Sequence, residues 1–398
     1  MAKRIAVITT WYPPQQSIAT QRMSALVDYL SKHYQITVFA LDHRQHIVQK
    51  ESIEVRYHRT YAFTEILKSN TADNALLHKA KTALRIVISK FIKSPLKRWK
   101  EATQADFLQQ HQQRAFDLVI SSYAPAETHE VVLHVKKQFP NLPWIADMRD
   151  EMSNNAHLLP HQFEAMRQLE ERINEHAQAI TSVSLPIVKT FERLCPKVKH
   201  FAEIRNGFNH SFKRDTTTVS NDGPFRMGYF GTFYGTRKPH VLLAALKELP
   251  LDFTLELFGV HHNFDIPKEL ATRVRIHEPL PYAQAIEAMA RMHANIQLHP
   301  RSDMKGVYTG KLFDYISVQV PVIALVDTDD VAADLIREFN CGYIAEFDDL
   351  EQNKQALLQA YTDWQNKIQR IASDEQVASL HREKQLEKLV PLIDELCA

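Results

Sequence analysis

Short apolar runs alternate with longer amphipathic stretches along most of the chain. Arg4–Thr10 has the length of a buried strand, and Thr20–Lys32 then carries apolar residues at helical spacing. The same alternation predicts further strands at Ile36–Leu41, Asp117–Ser121, Trp144–Asp147, Ala179–Val183, Phe225–Phe230, Thr254–Gly259, Val274–His277, Ala294–His299, Pro321–Val326 and Tyr343–Phe347. Strands separated by helices are typical of parallel α/β sheets. The pattern therefore predicts an α/β protein.

The chain is long enough for two domains, because 398 residues exceed what one hydrophobic core usually covers. A polar, turn-rich stretch at 214–224 interrupts the alternation, which restarts at Phe225. We predict a Rossmann-like domain over 1–208, a linker over 209–224, a second Rossmann-like domain over 225–378, and a helix over 379–398 that packs on the first domain. Two such domains are expected to face a central cleft lined by loops at the carboxyl ends of their strands.

Composition restricts the class of partner and the compartment. The 48 Lys and Arg residues nearly balance the 47 Asp and Glu residues, so a net charge of +1 argues against a nucleic-acid partner. The 3 cysteines include no CxxC pair, which argues against a disulfide framework or a zinc ribbon and suits a reducing compartment. No stretch has the roughly 20 apolar residues that cross a bilayer. We predict a cytoplasmic protein, or one on the inner face of the cell membrane.

The loop after Phe225–Phe230 has the features of a diphosphate site. It contains Gly231, followed by the cations Arg237 and Lys238, and then Pro239 opens a helix. Glycine lets a backbone approach a ligand closely, and a helix N-terminus attracts anions. The alternative is an ordinary strand–helix turn with two solvated cations.

A second cluster follows the predicted strand Ala294–His299. Thr309 and Gly310 would offer backbone N–H groups to phosphate at a helix start, with Arg301 and Lys311 nearby. Asp314, one turn into that helix, could accept hydrogen bonds from ribose hydroxyls. The alternative is a surface loop before a helix whose apolar residues belong to the core.

These clusters and several other segments, in this order, resemble a known family. The segments are Ser121–Ser122 with Pro125 and His129, Trp144–Asp150, Thr181–Ser184, Arg205–Asn209 with Phe212, and Lys311–Ile316 followed by Val320–Ala324. Together they resemble the retaining GT-B glycosyltransferases of family 4. The resemblance implies transfer of a sugar from a nucleoside diphosphate, UDP- or GDP-linked, to a glycan or lipid-linked glycan. It also implies a setting in bacterial capsule, lipopolysaccharide or exopolysaccharide synthesis.

The resemblance implies roles for particular residues. Arg237 or Lys238, with Lys311 as a weaker candidate, would hold the diphosphate, and Asp314 would contact the ribose. His129 would face the donor sugar near the reacting carbon, and a satisfied surface histidine is its alternative. Asp150 is the second catalytic candidate and, with Arg149 and Arg22, belongs to the acceptor side. No side chain is assigned as a definite general base, and the reaction is expected to need neither a metal nor a cofactor.

Three departures from the family pattern keep other functions open. The family usually has Glu where this chain has Asp314, and an acidic residue where it has Gly306. Pro14–Ser17 replaces the glycine-rich turn after the first strand. A nucleotide-sugar epimerase of the same fold is one alternative, and a catalytically degenerate scaffold that only binds partners is another.

Two further segments resemble functional motifs. Asp327–Asp330 resembles a DxD metal motif. The favoured interpretation is that these acidic residues lie at the N-terminus of the next helix, where negative charge is favourable. Leu76–Lys100 carries 8 cations, no acidic residue and interleaved apolar residues. Such a stretch can lie on anionic lipid, so we predict peripheral membrane contact there. The alternative is a solvated helix between strands.

Overall fold

The chain folds into two compact units. A computed structural model describes residues 2–60, 94–156, 158–212, 223–233, 238–259 and 264–398. Unit 1 contains Met1–Ile204 and Leu386–Ala398, and unit 2 contains Arg205–Gln385. Each unit has its own sheet and its own core.

Unit 1 is built on an eight-stranded sheet in the order β3-β4-β2-β1-β5-β6-β7-β8. Its elements are β1 (Arg4–Ile8), α1 (Ile18–Leu30), β2 (Gln35–Leu41), β3 (His46–Lys50), β4 (Ile53–His58), α2 (Lys97–Gln113), β5 (Leu118–Tyr123), α3 (Glu127–Lys136), β6 (Trp144–Met148), α4 (Pro160–His176), β7 (Ala179–Ser182), α5 (Leu185–Leu194) and β8 (His200–Glu203). Neighbouring strands are parallel except β3 with β4. Separate core clusters cover the two faces of the sheet, which is why central strands such as β1 are continuous apolar runs.

Unit 2 is built on six parallel strands in the order β11-β10-β9-β12-β13-β14. Its elements are β9 (Phe225–Phe230), α6 (His240–Glu248), β10 (Phe253–Phe258), a 3₁₀ turn (Lys268–Leu270), β11 (Val274–His277), α7 (Tyr282–Ala290), β12 (Ala294–His299), α8 (Gly310–Ser317), β13 (Val322–Val326), α9 (Val331–Phe339), β14 (Gly342–Glu346), α10 (Leu350–Gln365), α11 (Asp374–Ser379) and α12 (Arg382–Leu386). Again, one core cluster lies on each face. The predicted α/β class with two parallel-sheet domains is confirmed.

The C-terminal segment returns to unit 1. Helix α13 (Leu389–Leu396) buries Leu389 and Ile393 in the same cluster as Ile5 of β1. At its polar side, Lys3 Nζ lies 2.9 Å from Asp394 Oδ1. These contacts attach the end of the chain to the first strand.

The division between the units differs in detail from the predicted boundary at residue 208. Arg205–Phe208 belong to unit 2, because Phe208 exchanges backbone hydrogen bonds with Leu380 and Arg382. Residues 379–385, predicted to lie with the first domain, also belong to unit 2, where Leu380 is buried in the same core cluster as Phe313. Most of the predicted linker, 213–222, lies outside the described residues.

Candidate functional site

Two glycines lie side by side where β9 and β10 end. Gly231 has φ +128° and donates its N–H to the Phe258 carbonyl at 2.9 Å, while Gly259 has φ +74° and donates to the His277 carbonyl at 3.1 Å. A Cβ added to Gly259 would lie 3.9 Å from the Gly231 Cα. Positive φ values favour glycine, so bare backbone lies at the carboxyl edge of this sheet, where α/β proteins bind ligands.

The ammonium group of Lys311 lies directly against this bare backbone. Its Nζ is 4.1 Å from the centre of the Tyr229 ring, and a Cβ added to Gly231 would come within 3.0 Å of it. The structure therefore brings together Gly231 and Lys311, two residues that the sequence placed in separate clusters 80 positions apart. A side chain at position 231 would push the ammonium group away.

The first turn of α8 adds a second source of positive potential to the same edge. Thr309 precedes the helix, but its Oγ1 accepts from Gln297 Nε2 at 2.9 Å, and no side chain caps the helix N-terminus among the described residues. Around Gly310, the first helical residue, a Cβ would meet no described atom within 4 Å. Uncapped N–H groups carry a partial positive charge and suit an anion.

Asp314 lies one turn further along α8 and is bonded to a residue that the sequence analysis did not select. Tyr282, the first residue of α7, donates its hydroxyl to Asp314 Oδ1 at 2.8 Å. Burial raises the pKa of Asp314 to about 6, although the Tyr282 hydrogen bond and the charge of Arg382 both lower it. The carboxyl is therefore mostly ionised at neutral pH.

The other predicted donor-site cations are placed differently. Arg237 lies outside the described residues, and Lys238 is partly exposed just before α6. Arg301 Nη2 lies 3.4 Å from Glu346, 3.6 Å from Asp329 and 3.7 Å from Asp327. Three carboxylates near the ends of β13 and β14 therefore engage Arg301. Among the described residues, no contact joins Arg301 to the cluster of Gly231 and Lys311.

All three carboxylates of the DxD-like segment have structural partners, and that of Asp329 is the Arg301 contact just described. Asp330 caps α9 by accepting from the Val331 N–H at 2.8 Å, and it also accepts from the Gly306 N–H at 2.7 Å. Asp327 is ion-paired with Lys305 and Arg301. Within the described ranges, no group of three or more His, Cys, Asp or Glu side chains is arranged to hold a metal ion.

In unit 1, Arg22 is a buried structural residue. It is only 5% exposed, and its guanidinium donates to Asp147 Oδ1 at 2.8 Å and to the Ile204 carbonyl at 3.1 Å. Burial alone would raise the pKa of Asp147, but Arg22 and hydrogen bonds from Ser122 and Thr181 outweigh it and lower the pKa. This position ties α1 to the sheet and leaves Arg22 little surface for the predicted acceptor contact.

Arg149 and Asp150 follow β6 directly at the carboxyl edge of the unit 1 sheet. Arg149 donates to the carbonyls of Tyr123 at 2.6 Å and Ala124 at 3.0 Å, and Trp11 Nε1 donates to the same Ala124 carbonyl at 2.7 Å. Asp150 is exposed. Arg149 and Trp11 therefore fix the loop after β5, while Asp150 is accessible to a ligand.

His129, on α3, is fully buried. Trp144 Nε1 donates to Ser121 Oγ at 2.8 Å, and that oxygen lies 2.7 Å from His129 Nδ1. The serine hydroxyl can donate to Nδ1 when the ring carries its proton on Nε2, and that buried nitrogen has no hydrogen-bond partner among the described residues. Burial lowers the pKa of His129 to about 3, so the ring is neutral. The alternative of a surface histidine is wrong, and the predicted contact with a sugar conflicts with this burial.

Three residues at these edges were missed by the sequence analysis: Gly259, Tyr282 and Trp11. Gly259 ends a predicted strand, and that position in a chain with only 9 glycines was an available signal. Tyr282 and Trp11 act through side-chain contacts with residues 32 and 113 positions away, which no local pattern indicates.

Comparison with solved structures finds the same architecture in several proteins. Sucrose-phosphate synthase from Thermosynechococcus elongatus matches with a TM-score of 0.66 at 15% identity, over 99% of each chain. HepE from Anabaena, solved in complex with UDP, matches with a TM-score of 0.64 at 14% identity, over 99% of this chain and 100% of that one. The lipopolysaccharide outer core galactosyltransferase WaaB matches with a TM-score of 0.60 at 11% identity, over 98% and 99%.

The sequence comparisons add no relative. No protein-family model matches the chain, and no curated protein matches it. At these low identities the structural likeness concerns the fold, and it extends over nearly the whole length of each protein. The chain therefore has the GT-B fold.

Proposed function

We propose that this protein is a glycosyltransferase that moves a sugar from a nucleoside diphosphate to a glycan or lipid-linked glycan acceptor. The observation that carries the proposal is the position of Lys311 Nζ against Gly231, at the uncapped N-terminus of α8. Bare backbone, a helix N-terminus and an ammonium group together suit a ligand with two phosphates.

The donor is a UDP-sugar on this proposal, with GDP-linked sugars as the alternative. Two structural neighbours support UDP: HepE was solved with UDP and with UDP-glucose, and an E. coli trehalose-6-phosphate protein was solved with UDP-2-fluoro glucose. Asp314, ionised at neutral pH, is suited to accept hydrogen bonds from ribose hydroxyls.

The proposed reaction breaks the bond between the anomeric carbon and the β-phosphate oxygen. The acceptor hydroxyl oxygen then bonds that carbon from the same face, and its proton passes to the departing phosphate. Lys311 and the α8 N-terminus stabilise the negative charge that develops on the diphosphate, so no metal is required. Retention of anomeric configuration and independence from metal are both parts of the proposal.

The acceptor is proposed to bind at the carboxyl edge of the unit 1 sheet, where Asp150 is exposed and Arg149 and Trp11 fix the neighbouring loop. A cytoplasmic location with contact to the inner membrane face through Leu76–Lys100 remains a prediction. Residues 76–93 lie outside the described residues, and Lys100 is ion-paired with Glu130. In the part of the chain that is described, no helix is both long and apolar enough to span a bilayer.

The proposal is tested by calorimetric titration with UDP, GDP, CDP and ADP, with and without EDTA. One diphosphate should bind equally well in both conditions. Lys311→Met should weaken that binding by about 10- to 100-fold, the usual contribution of a charge-assisted hydrogen bond. Lys268→Met, an exposed lysine on the 3₁₀ turn, is the matched control and should leave the affinity unchanged.

The outcomes separate this proposal from its rivals. Absence of binding by every diphosphate would contradict it and favour a scaffold that binds other partners. Equal binding by wild type and Lys311→Met would show that the diphosphate lies elsewhere. Release of UDP from UDP-glucose only when a glycan acceptor is added would distinguish transfer from epimerisation.

A further inference from the structure

Tyr282 and Asp314 meet at the N-terminal turns of neighbouring helices, α7 and α8. Tyr282 Oη lies 2.8 Å from Asp314 Oδ1, and it is the phenol that donates, because an ionised carboxylate only accepts. Among the described residues, Asp314 Oδ2 has no hydrogen-bond partner, and Tyr282 is 46% exposed. The pair therefore has one carboxylate oxygen engaged and the other without a described partner.

A carboxylate held in this way suits a vicinal diol. Two adjacent hydroxyl groups can donate hydrogen bonds to one carboxylate. Here the remaining lone pair of Oδ1 accepts one of them, and Oδ2 accepts the other. The phenol limits rotation of the carboxylate, so less conformational entropy is lost when the diol binds. Tyr282 thus improves the acceptor without itself having to contact the ligand.

We propose that Tyr282 is a positioning residue for the nucleotide ribose: its hydroxyl orients the Asp314 carboxylate to accept from the 2′- and 3′-hydroxyls. This inference rests on the proposed function, because it requires a ribonucleotide donor. On this proposal, the Asp314 carboxylate held by Tyr282 makes the site selective for ribose over deoxyribose.

The charged and titratable groups around Asp314 determine how its protonation responds to a change at Tyr282. Arg382 contributes a favourable positive charge. Lys311 lies one turn earlier on α8, and His210 bonds Ser317 one turn later at 2.8 Å. Burial opposes ionisation and raises the pKa to about 6. Loss of the Tyr282 hydroxyl removes a group that lowers the pKa, so the pKa of Asp314 rises further.

The test measures the affinity for UDP-glucose between pH 5 and 8.5, and for its 2′-deoxyribose analogue at pH 7.5. The diphosphate diester of UDP-glucose does not titrate in this range. Wild type should bind more tightly as pH rises through about 6, and should prefer ribose by about tenfold. Tyr282→Phe should move the midpoint to higher pH, with about a fivefold loss at pH 6 that fades by pH 8.5.

Two variants serve as reference points. Asp314→Asn should abolish both the rise around pH 6 and the ribose preference. Tyr343→Phe is the matched control, because Tyr343 also donates to an aspartate of unit 2, Asp363 Oδ2 at 2.9 Å, on β14 and α10. It should leave the pH midpoint unchanged.

Each contrary result has a distinct meaning. Nucleotide binding with the same midpoint in wild type and Tyr282→Phe would overturn the role of Tyr282 while leaving the proposed function intact. Equal affinity of wild type for the ribose and deoxyribose ligands would overturn the diol contact without the use of any variant. Failure of wild type to bind any nucleoside diphosphate or nucleotide sugar would overturn both proposals.

Discussion

The buried ion pair of Arg22 with Asp147 provides a direct test of what holds unit 1 together. Their side chains are 5% and 2% exposed, and Ser122 and Thr181 complete the hydrogen bonds of the carboxylate. Asp147→Asn removes the negative charge and leaves the guanidinium buried without compensation. Breaking such a pair costs about 3–5 kcal/mol, whereas an exposed pair contributes about 0.2–1 kcal/mol.

This cost can be measured by urea unfolding followed by tryptophan fluorescence. Trp11, Trp99 and Trp144 belong to unit 1, and a Trp364→Phe background removes the tryptophan of unit 2. With a urea m-value of about 3 kcal/mol/M, the unit 1 midpoint should fall by about 1–1.7 M. Because the folded-state pKa of Asp147 lies below its unfolded value, this stabilisation is present at neutral pH and is lost as pH falls through the folded-state pKa.

Two further variants complete the measurement. Arg167→Met, in the exposed pair with Glu171, is the control and should move the midpoint by less than about 0.4 M. The double variant Arg22→Met/Asp147→Leu should recover much of the loss, because apolar residues of similar volume need no charge partner. An Asp147→Asn midpoint no lower than that of the control would refute the reasoning.

Three other variants test separate features of the fold. Gly342→Ala should destabilise unit 2 by about 3 kcal/mol or more, visible as a lower melting temperature, because its Cβ would lie 2.0 Å from the Val322 carbonyl oxygen; a melting temperature within a degree of wild type would contradict the strand spacing. Asp330→Ala should cost about 1–2 kcal/mol in the same assay, because α9 loses its cap and the Gly306 N–H its acceptor. In the folded protein His129 gains a second proton only near pH 3, whereas in the unfolded chain it does so below about pH 6.5, so stability falls as the pH is lowered between these values. His129→Phe should therefore reduce the slope of the urea midpoint against pH in this range. An unchanged slope would count against the burial of His129.

Local pattern was sufficient for the central strands and insufficient at the edge of unit 1. β1 and β13 are short apolar runs buried on both faces, and both were predicted within two residues at either end. The hairpin of β3 with β4 was missed. All five residues of β3 are exposed, so β3 has no buried face, whereas the alternation of Ile53, Val55 and Tyr57 with polar residues in β4 was an available signal. Pairing with β4, not hydrophobicity, makes that segment a strand.

For the candidate site, the sequence indicated which residue types belong at the ends of strands, but not which of them meet. Gly231, Lys311 and Asp314 were selected because glycine, cations and a helix start suit a diphosphate and a ribose. Arg301 was selected by the same argument, yet two carboxylates from the segment after β13 and one from the end of β14 engage it. Charge in a loop is visible in sequence, while the partner that neutralises it is not.

The sequence by itself determined the α/β class, the two sheets and the chemistry available at their carboxyl edges, because hydrophobic periodicity and glycine placement are local properties. Tertiary structure decided that Lys311 lies on Gly231, that Tyr282 donates a hydrogen bond to Asp314, and that Arg22 and His129 are buried. Each of these depends on side chains brought together from distant positions by strand order and helix packing. Burial and hydrogen-bond partners are consequences of that assembly, and they set the charge and accessibility on which function depends.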